Sequence, residues 1–376
     1  MPLRPFITAC VLAGVALASY TFHLTSTPLS AAEAVFAQQA QHALASHPLM
    51  FHVADDRWLQ PAAVYAAALV RAVGGGDYSG RIASAIVGAL DVALLFSVIR
   101  LVASYRVAIA AALILLATPA HFWFARLGTE AIFPVPFVLG WLIAALRFVH
   151  FDSRKALVAG GLVLGAGVYT HPTSPMVMGW LLAAFMLAAI VGRRSIVSTT
   201  VFAVGAFVVM LAPLAAWFWL HPANYADTYG RWAVFAAHAR FPLDGLRAQV
   251  NWNTLSNRTS IFWGLLDPSF LFFPASATSI APFLLISALA VPLGIGRALS
   301  APLAAERVVV IAAAVVPPLI ACTFGQPLDL GLVVAMSAAA AVLAGYGLSS
   351  LQQRRRWWTW LAGAAALASL YQLALL

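Results

Sequence analysis

The sequence predicts an all-α, polytopic integral membrane protein of about 11 transmembrane helices with two large outer loops. Three observations carry this. Of the 376 residues, 63% are hydrophobic and only 9% are charged, against roughly 25% charged in an ordinary globular protein. The apolar runs are long, non-alternating and rich in Ala, Leu and Val, which selects helices over the strands of a barrel, the only other way to satisfy backbone groups in lipid. Most of the basic residues sit in short connections on one side.

The runs fall near 5–22, 82–99, 107–120, 131–149, 156–170, 174–191, 196–220, 281–296, 308–322, 328–350 and 357–375. Arg4 before the first run and small residues around Ser19 also fit a cleaved signal peptide; an uncleaved span is the preferred reading. Ile7-Thr8-Ala9-Cys10 resembles a lipoprotein cleavage box, but the apolar stretch follows Cys10 instead of preceding it. Cys10 and Cys322 both lie in apolar segments and imply no disulfide or metal framework. Asp91 costs about 2.5–3.5 kcal/mol at a helix centre, and each Leu, Ile, Phe or Val returns about 0.3–0.6. Residues 82–99 contain ten such side chains, so this span still inserts. The run 156–170 is short and interrupted by glycines.

With the N-terminus inside, the inner side holds Arg4, Arg100, Arg106, Arg147, Arg154, Lys155, Arg193, Arg194, Arg297, Arg307, Arg354, Arg355 and Arg356, 13 of the 21 basic residues. That is the positive-inside pattern. The net charge of +9 is therefore a topology signal, and no nucleic-acid partner is expected. Glu33, Asp55, Asp56, Asp77, Glu130, Asp227, Asp244, Asp267 and Asp329 fall outside, 9 of the 12 acids, with eight of the nine histidines. Groups able to do acid–base or ligand chemistry gather on the outer face. The chain reads as a single transmembrane domain, 1–376, with outer loops at 23–81 and 221–280. The first contains an interfacial helix from Ser30. The second carries Trp232, Trp252 and Trp263, suited to the membrane interface. Compact loops, and a chain ending on its last apolar run, lead to the expectation of a bacterial inner membrane with an exoplasmic active face.

Several local patterns recur in a set order: Leu29-Ser30-Ala31-Ala32-Glu33-Ala34; Trp58-Leu59-Gln60-Pro61 with Tyr65; Gly80-Arg81-Ile82-Ala83-Ser84-Ala85; Pro119 with Phe124-Ala125-Arg126 and Glu130; Gly165-Ala166-Gly167-Val168-Tyr169-Thr170-His171; His221-Pro222; and Asp267-Pro268-Ser269-Phe270-Leu271-Phe272. Together, over roughly residues 5–300, they resemble the GT-C membrane glycosyltransferases, nearest to the protein O-mannosyltransferase-like and aminoarabinose-transferase-like enzymes. The resemblance implies transfer of a sugar from a polyprenyl-phosphate donor to a glycan, lipid or protein acceptor among the membrane lipids. A first-loop carboxylate would take the acceptor proton, and an arginine would hold the leaving phosphate. A divalent metal ion is the one cofactor considered. The family carries Asp-Glu where this chain has Ala32-Glu33, and Phe273-Pro274-Ala275-Ser276 stands where a Gly-Asp pair is usual. These departures open a second reading, an inactive relative that binds lipid-linked sugars. A lipid or glycan transporter is a third, for which Asp91 within a span is the one sign.

Each candidate has a bland counterpart. Glu33 is a base or metal ligand, or the far end of a Ser30–Glu33 capping box. Asp55 and Asp56 are a base or metal ligand, or solvated loop acids. Arg126 and Glu130 bind and orient the donor phosphate, or form an i,i+4 pair. Arg81 binds phosphate, or pairs with Asp77 or another nearby acid. Tyr169 and His171 line the cavity, or finish a helix. His221 contacts donor or acceptor, or is a loop histidine. Asp91 has a function, or a structural partner on a neighbouring helix.

Overall fold

The computed structural model describes residues 3–46, 48–53, 57–221, 255–273, 281–300, 304–324, 330–351 and positions 363, 366, 367 and 369. It is a bundle of helices, as the long apolar runs require. Helix α1 (Leu3–Thr21) crosses first. The first large loop then forms α2 (Ala31–Ser46), β1 (Phe51–Val53), β2 (Arg57–Leu59) and α3 (Pro61–Val70). The two strands pair antiparallel, Phe51 opposite Leu59 and Val53 opposite Arg57. The loop is thus more structured than a single interfacial helix.

Residues Pro61–Val102 form one long apolar helical stretch, but not one rod. Gly74 and Gly76 take φ of 102° and 58°, backbone open to glycine at little cost. The turn they make lays α3 alongside α4 (Ser79–Val102). Helix α5 (Tyr105–Ala117) follows, capped by the Ser104 hydroxyl. Pro119 then starts the six-residue α6 (Pro119–Phe124), which ends where the chain turns through residues 125–134 into α7 (Val135–Phe151). Helices α8 (Arg154–Gly167), α9 (Ser174–Val191), α10 (Ile196–Thr199) and α11 (Gly205–Leu220) complete the first two-thirds, with a π-turn at Thr200–Val204 between the last two. Beyond it lie α12 (Leu255–Leu266), α13 (Pro268–Phe272), α14 (Leu285–Ala298), α15 (Ala305–Phe324) and α16 (Leu330–Leu351).

Among the described residues, Leu3–Thr21, Pro61–Val102, Ser174–Val191 and Ile196–Leu220 are long and apolar enough to cross a bilayer, and the chain is an integral membrane protein. Shorter apolar helices include Tyr105–Ala117, Val135–Phe151 and Leu285–Ala298. The expected final run, 357–375, and most of the second loop lie outside the described residues.

Close backbone contact holds the bundle, as in membranes, where small residues replace the missing hydrophobic drive between helices. A Cβ on Gly294 of α14 would fall 1.9 Å from the Leu343 carbonyl oxygen of α16, and one on Gly347 would fall 2.0 Å from that of Ala290. Polar links add to this at the end away from the large loops. There the Glu306 carboxylate meets His150 at 3.0 Å and accepts from the Tyr346 hydroxyl, joining α15, α7 and α16.

Candidate functional site

Ser30 and Glu33 form the capping box that their spacing predicts. The Ser30 amide donates to Glu33 Oε2 at 2.8 Å, and the Glu33 amide donates to Ser30 Oγ at 3.3 Å. The same carboxylate also reaches across the fold. Oε1 accepts from Arg81 Nε at 2.7 Å and from the Gly128 amide at 3.0 Å; Oε2 accepts from Arg81 Nη2 and the Ser30 hydroxyl, each at 2.9 Å. Only 3% of Glu33 is exposed. Burial pushes its acidity down, but the Arg81 bonds, the Gly128 and Ser30 amides and the Ser30 hydroxyl outweigh it and bring the pKa to about 2.

Arg81 stands at the first turn of α4, and its guanidinium is fully occupied. Beyond Glu33 it donates from Nη1 to the carbonyls of Leu24 and Thr27 and from Nη2 to that of Pro28, all at 2.9 Å. All five N–H groups therefore have partners. Of the acids near it, Glu33 is the partner of Arg81. Asp77 pairs instead with Arg71, at 2.9 Å near the surface.

Arg126 and Glu130 do not form a helical i,i+4 pair, because α6 ends at Phe124 and both lie in the following turn. Arg126 Nη1 donates to the carbonyls of Ser19, Tyr20 and Phe22 at 3.3, 3.1 and 2.7 Å, closing the C-terminal end of α1. Its guanidinium lies 5.3 Å over the Phe122 ring. Burial and the like charge of Arg81 both lower its pKa from the usual arginine value. Among the described residues, Nε and Nη2 make no hydrogen bond. Glu130 Oε2 accepts from the Gln60 amide at 3.4 Å, at the start of α3.

Tyr169 meets the same helix start, its carbonyl accepting from the Ala62 amide at 3.1 Å. Its hydroxyl enters α11, donating to the Met210 carbonyl at 2.7 Å and accepting from the Leu214 amide at 3.3 Å, beside Pro213. These are the two groups that an unbroken helix joins directly. His171 Nδ1 accepts from the Thr173 amide at 3.2 Å, at the entry to α9. His221 ends α11 stacked on Trp217, 4.1 Å between centroids, and exposed. Asp55 and Asp56 lie between β1 and β2, outside the described residues.

Two groupings result. Glu33, Arg81 and Gly128 meet with Arg126 close by; Gln60, Glu130 and Tyr169 meet at the start of α3. The turn 125–134 joins them. A third grouping was only half legible: Asp91 has a partner, His121, whose Nε2 lies 3.3 Å from Asp91 Oδ2, while Nδ1 lies 3.1 Å from the Tyr20 hydroxyl. The signal for His121 was its place between Pro119 and Arg126. Among the described residues no three His, Cys, Asp or Glu side chains come together to hold a metal. The oxygens of Glu33, committed to N–H donors, do not suit a cation.

An apolar cavity of about 260 Å³ lies among α12–α16, with Leu266, Phe283, Val291, Ala314, Met336 and Leu343 on its walls. Ala120 of α6 packs with Leu265, Phe283 and Met336, so the helix leading to Arg126 rests against the cavity wall.

This bundle, with its structured first loop, has the fold of the GT-C membrane glycosyltransferases. Residues 46–219 match the family described as dolichyl-phosphate-mannose-protein mannosyltransferase. Among solved structures, the chain is similar to ArnT from Cupriavidus metallidurans bound to undecaprenyl phosphate, with a TM-score of 0.67 and 19% identity, over 95% of this chain and 63% of that one. It is also similar to the archaeal oligosaccharyltransferase AglB from Archaeoglobus fulgidus in complex with an inhibitory peptide and a dolichol-phosphate, with a TM-score of 0.56 and 14% identity, over 99% of this chain and 55% of that one. A further structure of the Archaeoglobus fulgidus oligosaccharyltransferase, in complex with Zn and sulfate, gives 0.55 and 15%, over 97% and 52%. The chain thus spans between half and two-thirds of the length of these relatives. No curated protein sequence matches it.

Proposed function

We propose that the protein transfers a sugar from a polyprenyl-phosphate donor to a glycan, lipid or protein acceptor on the exoplasmic face of a bacterial inner membrane. The observation that carries this is Arg126. One edge of its guanidinium is fixed on the end of α1, which leaves Nε and Nη2 to hold a phosphate through paired charge-assisted bonds. The apolar cavity, against whose wall α6 packs, suits the isoprenoid tail. Relatives of this fold hold undecaprenyl phosphate and dolichol-phosphate, which supports the same donor class here.

In this reading the acceptor hydroxyl loses its proton to a carboxylate, its oxygen bonds to the anomeric carbon, and the carbon–oxygen bond to the phosphate breaks. Arg126 stabilises the charge left on the phosphate. Glu33, with a pKa of about 2 and both oxygens occupied, is a poor proton acceptor, so its part is to hold Arg81 and Gly128. We assign the base to Asp55 or Asp56, in the connection leading through β2 to Gln60. Glu130, Tyr169 and His171 flank the acceptor side of the α3 start.

Ala32, in place of the family's aspartate, favours a second reading, a binding protein for lipid-linked sugars. Transfer of labelled sugar in vesicles separates the two. An enzyme loses roughly 10²–10⁴-fold of its rate in whichever of Asp55→Asn and Asp56→Asn removes the base, and Arg126→Ala weakens donor binding. Donor binding with no turnover supports the second reading. Absence of donor binding overturns both.

A further inference from the structure

Asp91, His121 and Tyr20 form a buried polar chain across α4, α6 and α1. Asp91 and His121 are 0% exposed, as is Tyr20. Among the described residues, Asp91 Oδ1 has no hydrogen-bond partner. A carboxyl group here is expensive in a membrane protein, and a well-packed apolar side chain would be cheaper. The cost calls for a role.

Geometry supplies one. The Tyr20 side chain is tied to His121, while its own backbone carbonyl is one of the three that hold Arg126 Nη1, at 3.1 Å. The Tyr20 ring also meets Phe122 edge-on, at 5.5 Å, and Phe122 carries the Arg126 guanidinium on its face. A Cβ on Gly88 of α4 would fall 2.6 Å from Ala125 Cβ and 3.1 Å from the Tyr20 ring, so α1, α4 and the turn after α6 interlock without slack. The end of α1 and the end of α6 are therefore fixed relative to each other from beneath. Arg126 is where that fixation emerges.

We propose that Asp91, His121 and Tyr20 are positioning residues that aim the free edge of Arg126 at the donor phosphate. This rests on the phosphate-binding reading above. His121 bridges its neighbours through both ring nitrogens, so removing the Tyr20 bond frees α1 from α6 and removing the Asp91 bond frees α4 from α6.

The test compares affinity for a polyprenyl phosphate with affinity for the matching polyprenol, in His121→Phe and Tyr20→Phe and in each combined with Arg126→Ala. The expected result is a loss of roughly tenfold for the phosphate, none for the alcohol, and no additional loss once Arg126 is gone. Tyr20→Phe removes one hydroxyl and carries the test even where His121→Phe fails to fold. Asp91→Leu, which cannot bond His121, is expected to show the same selective loss. Phosphate affinity equal to wild type in Tyr20→Phe, or the same loss in the Arg126→Ala background, overturns the proposal. Wild-type protein that binds the alcohol as tightly as the phosphate overturns the underlying reading instead, and this inference with it.

Discussion

At Glu33 five donors converge on two oxygens, and the energetics of the first loop concentrate there. Removing the partner is worse than removing the pair, because an uncompensated buried charge remains. Arg81→Ala is expected to destabilise the protein by about 3–5 kcal/mol, read as a lowered midpoint of thermal unfolding in detergent. Arg81→Lys recovers little of it, since an ammonium cannot supply five donors in a plane. The depressed pKa fixes the sign of a pH effect. A carboxylate at about 2 when folded and about 4.3 when unfolded contributes stability that is complete above the unfolded value and fades as pH falls toward the folded one. Thermal midpoints measured from pH 5 down to pH 3 should therefore fall more steeply in wild type than in Glu33→Gln; parallel slopes would contradict this. The capping box within this site was readable, because it is local, and so was the need of Arg81 for a nearby acid. The Gly128 amide was not, since nothing in residues 30–33 encodes which distant turn will come to rest on them. Asp91 announced itself by its cost, whereas His121 was only one of the eight outer histidines.

Among the helices, the apolar runs marked nearly every described span, because twenty residues of Ala, Leu and Val in lipid have few alternatives. They failed where polar backbone finds a partner outside its own element. Helix α3 was lost inside a loop because its ten residues are too few to register as a span. The hairpin of β1 and β2 is shorter still. Tyr169 in the ladder of α11 is a third such case. Tyr169→Phe is expected to leave the Leu214 amide and Met210 carbonyl to re-form their own bond imperfectly beside Pro213, and hydrogen exchange at Leu214 should quicken. A second expectation concerns α4. Gly88→Val places branched carbons against Ala125 and Tyr20, and overpacking of this kind costs about 1–3 kcal/mol. Expression and melting of the variant check it.

For the whole molecule, the asymmetry of charge makes a claim about sidedness. Asp77 and Arg193 are both exposed and fall on opposite sides in the expected topology. In a background lacking Cys10 and Cys322, a membrane-impermeant thiol reagent added to intact cells should modify Asp77→Cys and spare Arg193→Cys. The reverse pattern would move the proposed chemistry to the other face. Charge at this scale is a sum over many residues, insensitive to where each helix begins. The apolar cavity was not legible, being a property of the gaps between α12–α16 and of no single stretch of sequence.

The contact between Gly294 and Gly347 bears on how that cavity can fill. Its walls along α14 and α16 belong to two helices pressed carbonyl to backbone, so this side behaves as a fixed jaw. Admission of a long guest falls to the other walls, where α12 and α15 line the cavity with side chains such as Phe262, Leu266 and Val315. Slippage of those side chains costs far less than prising two backbones apart.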